Sequence, residues 1–398
     1  MKNWLRKTSV AVIAFSLLSS NFLIYAEDIA AVNPEGKEAI LQAERFPVLE
    51  IKEEGAKITY EEALKRALKN SSDLKKLAED IKITEEKKEN ASSVIVVERP
   101  PGYGAPRTDV FISDATHISD LVNLVSLDIG REASEYQKEI KQTLIEYQVK
   151  TAINNIIQLK KDIELAKRSL EISNKKLSIT KQKAYLGLES KTNETQEIQK
   201  YEQQQKQLDS LYKNLDNQYI SFNRLIGAED DERFILDYDV SFELLGDIPL
   251  DSYVLQAINK DPSIHIQEGV VKQAEYNLNL YSYTGGNDSY SIRKSRLEQA
   301  MIDLNDAKNK LKDNIRNAYN RLHQIEKEYE VKQLELEKAI QQWKVAKTKY
   351  DLGMIIETDL KQAELAVLNA QADLEKTISQ YDLLKFAFQH PYLLSSNS

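Results

Sequence analysis

Apolar residues recur in alternating steps of four and three from Ile145 through Val149, Ala152, Ile156, Leu159, Ile163, Ala166, Leu170, Ser173, Leu177 and Thr180 to Ala184. That spacing keeps one stripe on one face of an α-helix and marks a coiled-coil seam. A second seam runs through Ile198, Tyr201, Gln205, Leu208, Tyr212, Leu215, Tyr219, Phe222 and Ile226, with Gly227 as the helix stop. A third extends from Ala300 to Tyr350 through Leu311, Ile315, Leu322 and Trp343, and a fourth from Ile356 to Phe388 through Val367, Leu374 and Tyr381. An extra step between Leu311 and Ile315 is a stutter, which should locally unwind the supercoil. The two long arms, at about 129–186 and 292–352, reach roughly 85 to 90 Å at 1.5 Å per residue. Rods of that length bury their seams only against each other or against other chains. A protomer of four leaves two edges open, so a closed oligomer is expected.

The arms belong to a duplication. Lys183-Ala184-Tyr185-Leu186-Gly187-Leu188 returns 166 residues later as Lys349-Tyr350-Asp351-Leu352-Gly353-Met354. A second anchor, Ala67 to Leu74 against Ala257 to Ile264, is offset by 190, so the first copy carries 24 extra residues at the end opposite the glycines. There, 91–113 reads as a small β-hairpin of two apolar runs around a Pro/Gly-rich turn, whereas Tyr281 to Tyr290 in the second copy reads as a plain turn. The fold class expected is all-α, with long antiparallel coiled-coil hairpins in two tandem repeats and at most a small β-hairpin. Residues 58–227 form the first repeat and 252–390 the second. They are preceded by an arm or linker at 27–57, joined by an acidic connector at 228–251, and followed by a tail at 391–398. Thr59 and Glu62 form a capping box that opens the first helix. In the connector, Phe234-Ile235-Leu236 and Val240-Ser241-Phe242 read as short strands or extended links.

Composition narrows the classes. Twelve glycines and eight prolines in 398 residues are too few for several loop-rich domains. Residues 1–26 have a basic start at Lys2, Arg6 and Lys7 and apolar runs ending at Ala26, the pattern of a cleaved signal peptide, with an uncleaved anchor as the alternative. Either reading sends the rest out of the cytoplasm. Losing three positive charges takes the net charge from -9 to -12, which disfavours nucleic acid as a partner. There is no cysteine, so stability rests on packing rather than disulfides. Past the leader, no run is apolar enough for a membrane-spanning helix. His117, His265, His323 and His390 lack metal-ligand spacing; a di-iron Glu-x-x-His would need a glutamate where Asn320 stands. Neither a phosphate loop nor a nucleophile elbow is present. The expectation is a non-enzyme with no cofactor and no metal.

At the glycine tips, Lys349 to Asp359 with its alanine-rich return helix resembles the hairpin tip of the TolC family of outer-membrane efflux proteins. Ala184 to Asn193 resembles the first-repeat version. The match covers about 58–390. The resemblance implies a homotrimer whose twelve long helices enclose a hollow α-barrel in the cell envelope, at the outer membrane. It would be supplied by an inner-membrane transporter through a periplasmic adaptor, and would perform no chemistry. It also implies adaptor docking at the tips: Tyr185, Leu186, Gly187, Leu188, Tyr350, Leu352, Gly353 and Met354. An alternative is that these are turn residues only. Six residues past each glycine, some members place a gate aspartate; those positions are Asn193 and Asp359 here, with Asp359 equally readable as a helix-start surface residue. A second gate aspartate would fall on Gln362 and a latch arginine on Ile355, both departures from the family. A larger departure lies at the opposite end. Family members use four spanning strands per protomer, each needing about 9 to 11 residues, and this chain offers two runs of four or five. The helical duct is expected to be kept and the membrane barrel to be vestigial or absent.

Two further classes compete. A non-conducting scaffold or spacer of the envelope would use the same coiled coils without a lumen. The adaptor itself is disfavoured because adaptors pair one hairpin with β-rich domains.

Overall fold

The computed structural model describes residues 46–49, 55–94, 115–281 and 288–395. The two halves have the same order of elements. In the first, a strand β1 (Ala56–Thr59) leads into α1 (Tyr60–Asn70), α2 (Ser72–Val94), the arm α3 (Ala115–Tyr185) and the return helix α4 (Lys191–Ile226). After β2 (Phe234–Asp237) come α5 (Leu250–Lys260), α6 (Pro262–Asn279), the arm α7 (Tyr290–Asp351), the return helix α8 (Glu357–Gln389) and a last turn, α9 (Tyr392–Ser395). Both short helices have 11 residues, and both are followed by a one-residue break. At the first break Ser71 Oγ accepts the Leu74 N–H at 3.3 Å. At the second, Asp261 Oδ1 accepts the Ser263 N–H at 2.9 Å, and Pro262 starts the next helix without an N–H to satisfy.

The arms organise the packing. α3 lies against α4 in the half nearest the glycine tips and against α2 in the other half, and α7 is covered in the same way by α8 and α6. α3 also packs on α8 and α6, which joins the repeats into one layer with α4 and α7 at its two edges. With 71 residues, α3 is about 105 Å long. α4 ends along it at the end of α1, just before α2 begins. The Asn70 side-chain amide donates to the carbonyls of Arg224 at 2.9 Å and Leu225 at 3.3 Å, closing the open C-terminus of α4. Gly227 stops α4 at φ 71°, and a Cβ there would lie 2.8 Å from the Asn70 side chain, so both backbone and space require glycine.

Two apolar clusters sit at this mid-height. One gathers Ile58, Ala63, Ala67, Ile145, Val149, Ile153, Ile156, Tyr219, Phe222, Ile226 and Phe234; the other centres on Ile264, Leu311, Ile315, Leu322, Tyr381 and Phe388. The capping box of Thr59 with Glu62 is formed.

Several expectations are corrected. Ala56 and Lys57, expected in the linker, belong to β1, which pairs in parallel with β2 from Ala56–Phe234 to Thr59–Asp237. The pairing exists because Ile58 and Leu236 both turn into the first cluster. Of the two readings of Val240 to Phe242, the link holds and not the strand, and Phe242 stacks on Tyr329 with ring centres 3.8 Å apart. Residues 91–94, read as the start of a β-hairpin, close α2, and the rest of that reading lies outside the described residues, as does the leader. The first arm begins at Ala115 rather than near 129. The stutter after Leu311, which bears on the supercoil, lies within a continuous α7.

The seams hold, with shifts along α3 and α4 and with exposed ends at Tyr350 and Ile356. Along α3, Ile153, Leu165 and Ile172 are buried off the single stripe, because this helix has neighbours on both flanks, while Leu170 is only half-buried. Along α4, Gln205 and Tyr212 are exposed, and Gln204 and Leu211 are half-buried instead. A 3.6-residue helix rotates by about 20° per heptad against a strict seven-residue stripe, so a straight α4 drifts off its expected face.

Leu322 is 0% exposed. Leu322→Ala should lower stability by about 2 to 5 kcal/mol, read as a shift of denaturant midpoint at constant slope. Leu170→Ala should cost clearly less, in line with its partial exposure.

Candidate docking tips and entrance

The tips are built alike. At the end of α3 the Leu188 N–H donates to the Lys183 carbonyl at 2.8 Å and the Gly187 N–H to the Ala184 carbonyl at 3.1 Å. At the end of α7 the Met354 N–H reaches the Lys349 carbonyl at 2.8 Å and the Gly353 N–H the Tyr350 carbonyl at 2.9 Å. These are two Schellman motifs with the left-handed residue at Gly187, φ 71°, and Gly353, φ 69°. A Cβ at either glycine would touch nothing within 4 Å, so the backbone angle alone selects glycine.

The motif leaves the flanking apolar side chains in solvent. Tyr185 is 91% exposed, Leu188 73% and Leu352 70%, and Leu186, Tyr350 and Met354 are exposed as well. Ile356, which the spacing places at the start of the fourth seam, is 56% exposed instead and extends the second patch. Apolar groups concentrated at a protruding end are the composition of a contact surface.

The return helices start differently. Ser190 Oγ accepts the Asn193 N–H at 3.1 Å and caps α4, which makes Asn193 a half-buried member of the cap. Ile356 gives α8 no side-chain cap, and its first turn carries Glu357 and Asp359 instead. Carboxylates there complement the positive end of the helix dipole. Asp359 is exposed, while neighbouring Thr358 is buried.

The tips are joined across the repeats by charges that the sequence reading did not find. Lys175 Nζ lies 2.7 Å from Glu357 Oε1, Lys361 Nζ lies 2.6 Å from Glu171 Oε1, and Lys176 Nζ donates to Gln362 Oε1 at 3.2 Å. Within each helix, Glu171–Lys175 and Glu357–Lys361 are i,i+4 pairs at 3.8 and 3.6 Å, so four charges of alternating sign form a square. The i,i+4 pairs are legible in sequence; the cross-pairing needs the register of α3 against α8. A hydrogen bond from Lys175 holds the Glu357 carboxyl below its ordinary value, and one from Lys361 does the same for Glu171.

The histidines are dispersed. His265 Nδ1 lies 3.2 Å from Glu268, His323 Nδ1 lies 2.6 Å from Glu326, and His390 Nδ1 contacts the Phe386 carbonyl at 3.0 Å. Among the described residues, none of these belongs to a group of three or more metal-binding side chains. Nor is any described helix long and apolar enough to cross a membrane.

No family model matches the chain, and no curated protein does. Solved structures do. The CmeC outer membrane channel of Campylobacter jejuni superposes with a TM-score of 0.62 at 16% identity, over 84% of this chain and 85% of that one. The outer membrane protein VceC of Vibrio cholerae gives 0.59 at 14%, over 84% and 95%. The open-state MtrE outer membrane channel of Neisseria gonorrhoeae gives 0.56 at 13%, over 83% and 88%. The chain has a TolC-like fold. The likeness spans both repeats of the TolC-like architecture and extends over most of each channel's length.

Gly187→Ala and Gly353→Ala should each destabilise by about 1 kcal/mol through the left-handed backbone alone. Gly130→Ala, inside α3 with open space around it, should stabilise by about 0.5 to 1 kcal/mol. Denaturant melts of the three variants check the contrast. The charge square sets a pH response. Glu171 and Glu357 have depressed folded-state values, so their contribution is full above the ordinary glutamate range and is lost as pH falls through the depressed values. At low salt, wild type should therefore melt above Glu357→Gln at neutral pH, and the two should converge in acid.

Proposed function

We propose that the chain is a trimeric passive duct of the cell envelope, exporting substrates handed over by an inner-membrane transporter through a periplasmic adaptor. The carrying observation is the state of the two edges. α4 buries only Tyr219, Phe222, Asn223 and Ile226 of its 36 residues, whereas α8, flanked on both sides, buries twelve of 33. On the other edge, α7 exposes Met301, Ile302, Val331, Leu334 and Val345. An unsatisfied α4 on one edge and an apolar α7 on the other suit a head-to-tail contact between copies, and such contacts close into a ring when the rotation permits. The TolC-like fold supports a closure of three.

In this reading residues 1–26 are a leader that exports the chain, 58–227 and 252–390 are the two repeats, and 228–251 links them. The tips at Tyr185, Leu186, Gly187, Leu188, Tyr350, Leu352, Gly353 and Met354 receive the adaptor, and Asn193 and Asp359 stand at the entrance of the bore. No catalytic role is assigned to any residue. The outer membrane is the proposed location by likeness to outer-membrane channels, with a barrel that is vestigial or absent.

Electron microscopy of the purified protein should show hollow threefold particles; rods without a lumen would favour a non-conducting spacer. Leu334→Asp, at a position 64% exposed in the single chain, should leave helicity intact and convert the assembly to monomers in sedimentation. Asp359→Asn should alter ion conductance across a reconstituted bilayer while leaving the melting temperature unchanged.

A further inference from the structure

At mid-height a single lysine is surrounded by parts of both repeats. Lys150, on α3, has a side chain 15% exposed, and its ammonium lies 5.2 Å from the ring centres of Tyr60 and Phe386 and 5.7 Å from that of Tyr238. Its Nζ donates to the Tyr238 hydroxyl at 3.4 Å and lies 3.6 Å from Asp382 Oδ2, to which Tyr238 also donates at 3.0 Å. Tyr60 donates to Glu146 at 2.9 Å and packs on Tyr238 at 5.4 Å. Four segments converge on one cation: the start of α1, the arm α3, the connector after β2, and the end of α8. Aromatic faces and a carboxylate around a partly desolvated ammonium form a strong attraction that salt screens poorly. Beside it, Tyr147 stacks on Phe386, and Tyr392 donates to Thr143 at 2.9 Å, so the same junction is apolar on its far side.

Towards the tips, α3 and α8 meet differently. One small apolar cluster of Leu165, Ile172, Leu365, Leu368 and Ala372 is flanked by the ion pairs Lys161–Glu375, Lys361–Glu171 and Lys175–Glu357. The two nearest the tips have carboxylates more than half exposed. Pairs of that kind are screened by salt.

We propose that Lys150 is the pin of a fulcrum: it clasps the two repeats together at mid-height and leaves the tip half of the α3–α8 junction as the part able to separate. The claim concerns packing within one chain, so it can fail while the duct reading stands, and the reverse.

Amide hydrogen exchange on the assembled full chain tests it. In wild type, about 1 M salt shortens the screening length to about 3 Å. It should speed exchange in residues 161–185 and 357–377 by about tenfold while leaving 139–157 and 380–389 within about twofold. Lys150→Met at low salt should do the opposite, accelerating 139–157 and 380–389 first. The proposal is overturned if salt accelerates exchange evenly along α3 and α8 in wild type, or if Lys150→Met leaves 139–157 as protected as before. Should Lys150→Met not fold, Tyr238→Phe and Asp382→Asn, each removing one polar contact of the clasp, should accelerate the same mid-height segments to a smaller degree. No acceleration in either variant would equally overturn it.

Discussion

The structure depends on one demand: α3, about 105 Å of helix, must be covered on two flanks for nearly its whole length. No single partner in the chain is long enough. Coverage is assembled from pieces, with α4 and α2 one after the other on one flank and α8 and α6 on the other. The second arm receives such cover from its own repeat alone. The edges follow from this arithmetic of flanks, because four rods in a row always leave two outer faces.

Along the layer, the character of the contact changes. At mid-height the side chains are aromatic and enclosed: Phe222, Phe388, Tyr381 and Tyr219 are nearly inaccessible, and the Tyr219 hydroxyl reaches the Phe234 carbonyl at 2.9 Å. Nearer the tips, lysines and glutamates sit between the repeats, and the apolar cluster there is small. Burying an aromatic side chain contributes whatever the ionic strength, whereas exposed ion pairs weaken as salt rises. One continuous helix therefore passes through two regimes of cohesion, and its stiffness is what relates them.

Much of this was legible in the residues. The four-three spacing located all four long helices, the paired glycines located both turns, and the repeat offset showed that the halves are versions of one design. Other features depended on contacts distant in sequence. Ile58 and Leu236 are 178 residues apart, and nothing local indicates that they pair in parallel. The extra buried stripe of α3 at Ile153, Leu165 and Ile172 becomes meaningful only once a second neighbour is known. Glu171 and Lys361 each have an i,i+4 partner on their own helix, and the register that lets them meet each other is set by packing. The Lys150 clasp draws on positions from 60 to 386, a range that periodicity cannot see.

The splice at Asn70 has a mechanical consequence. Where α4 ends against the break between α1 and α2, the covalent chain runs off elsewhere, and the Asn70 amide, the β1–β2 pairing and packing hold the ends in line. In the second repeat, α8 ends beside α5 in the same manner, with the Tyr253 hydroxyl on the Phe388 carbonyl at 2.8 Å. Torque or tension passing that level runs through unbroken backbone in α3 and α7 alone. Each protomer is a pair of splints strapped across two butt joints, and a twist applied at the glycine ends would be borne by those splints before the joints could part.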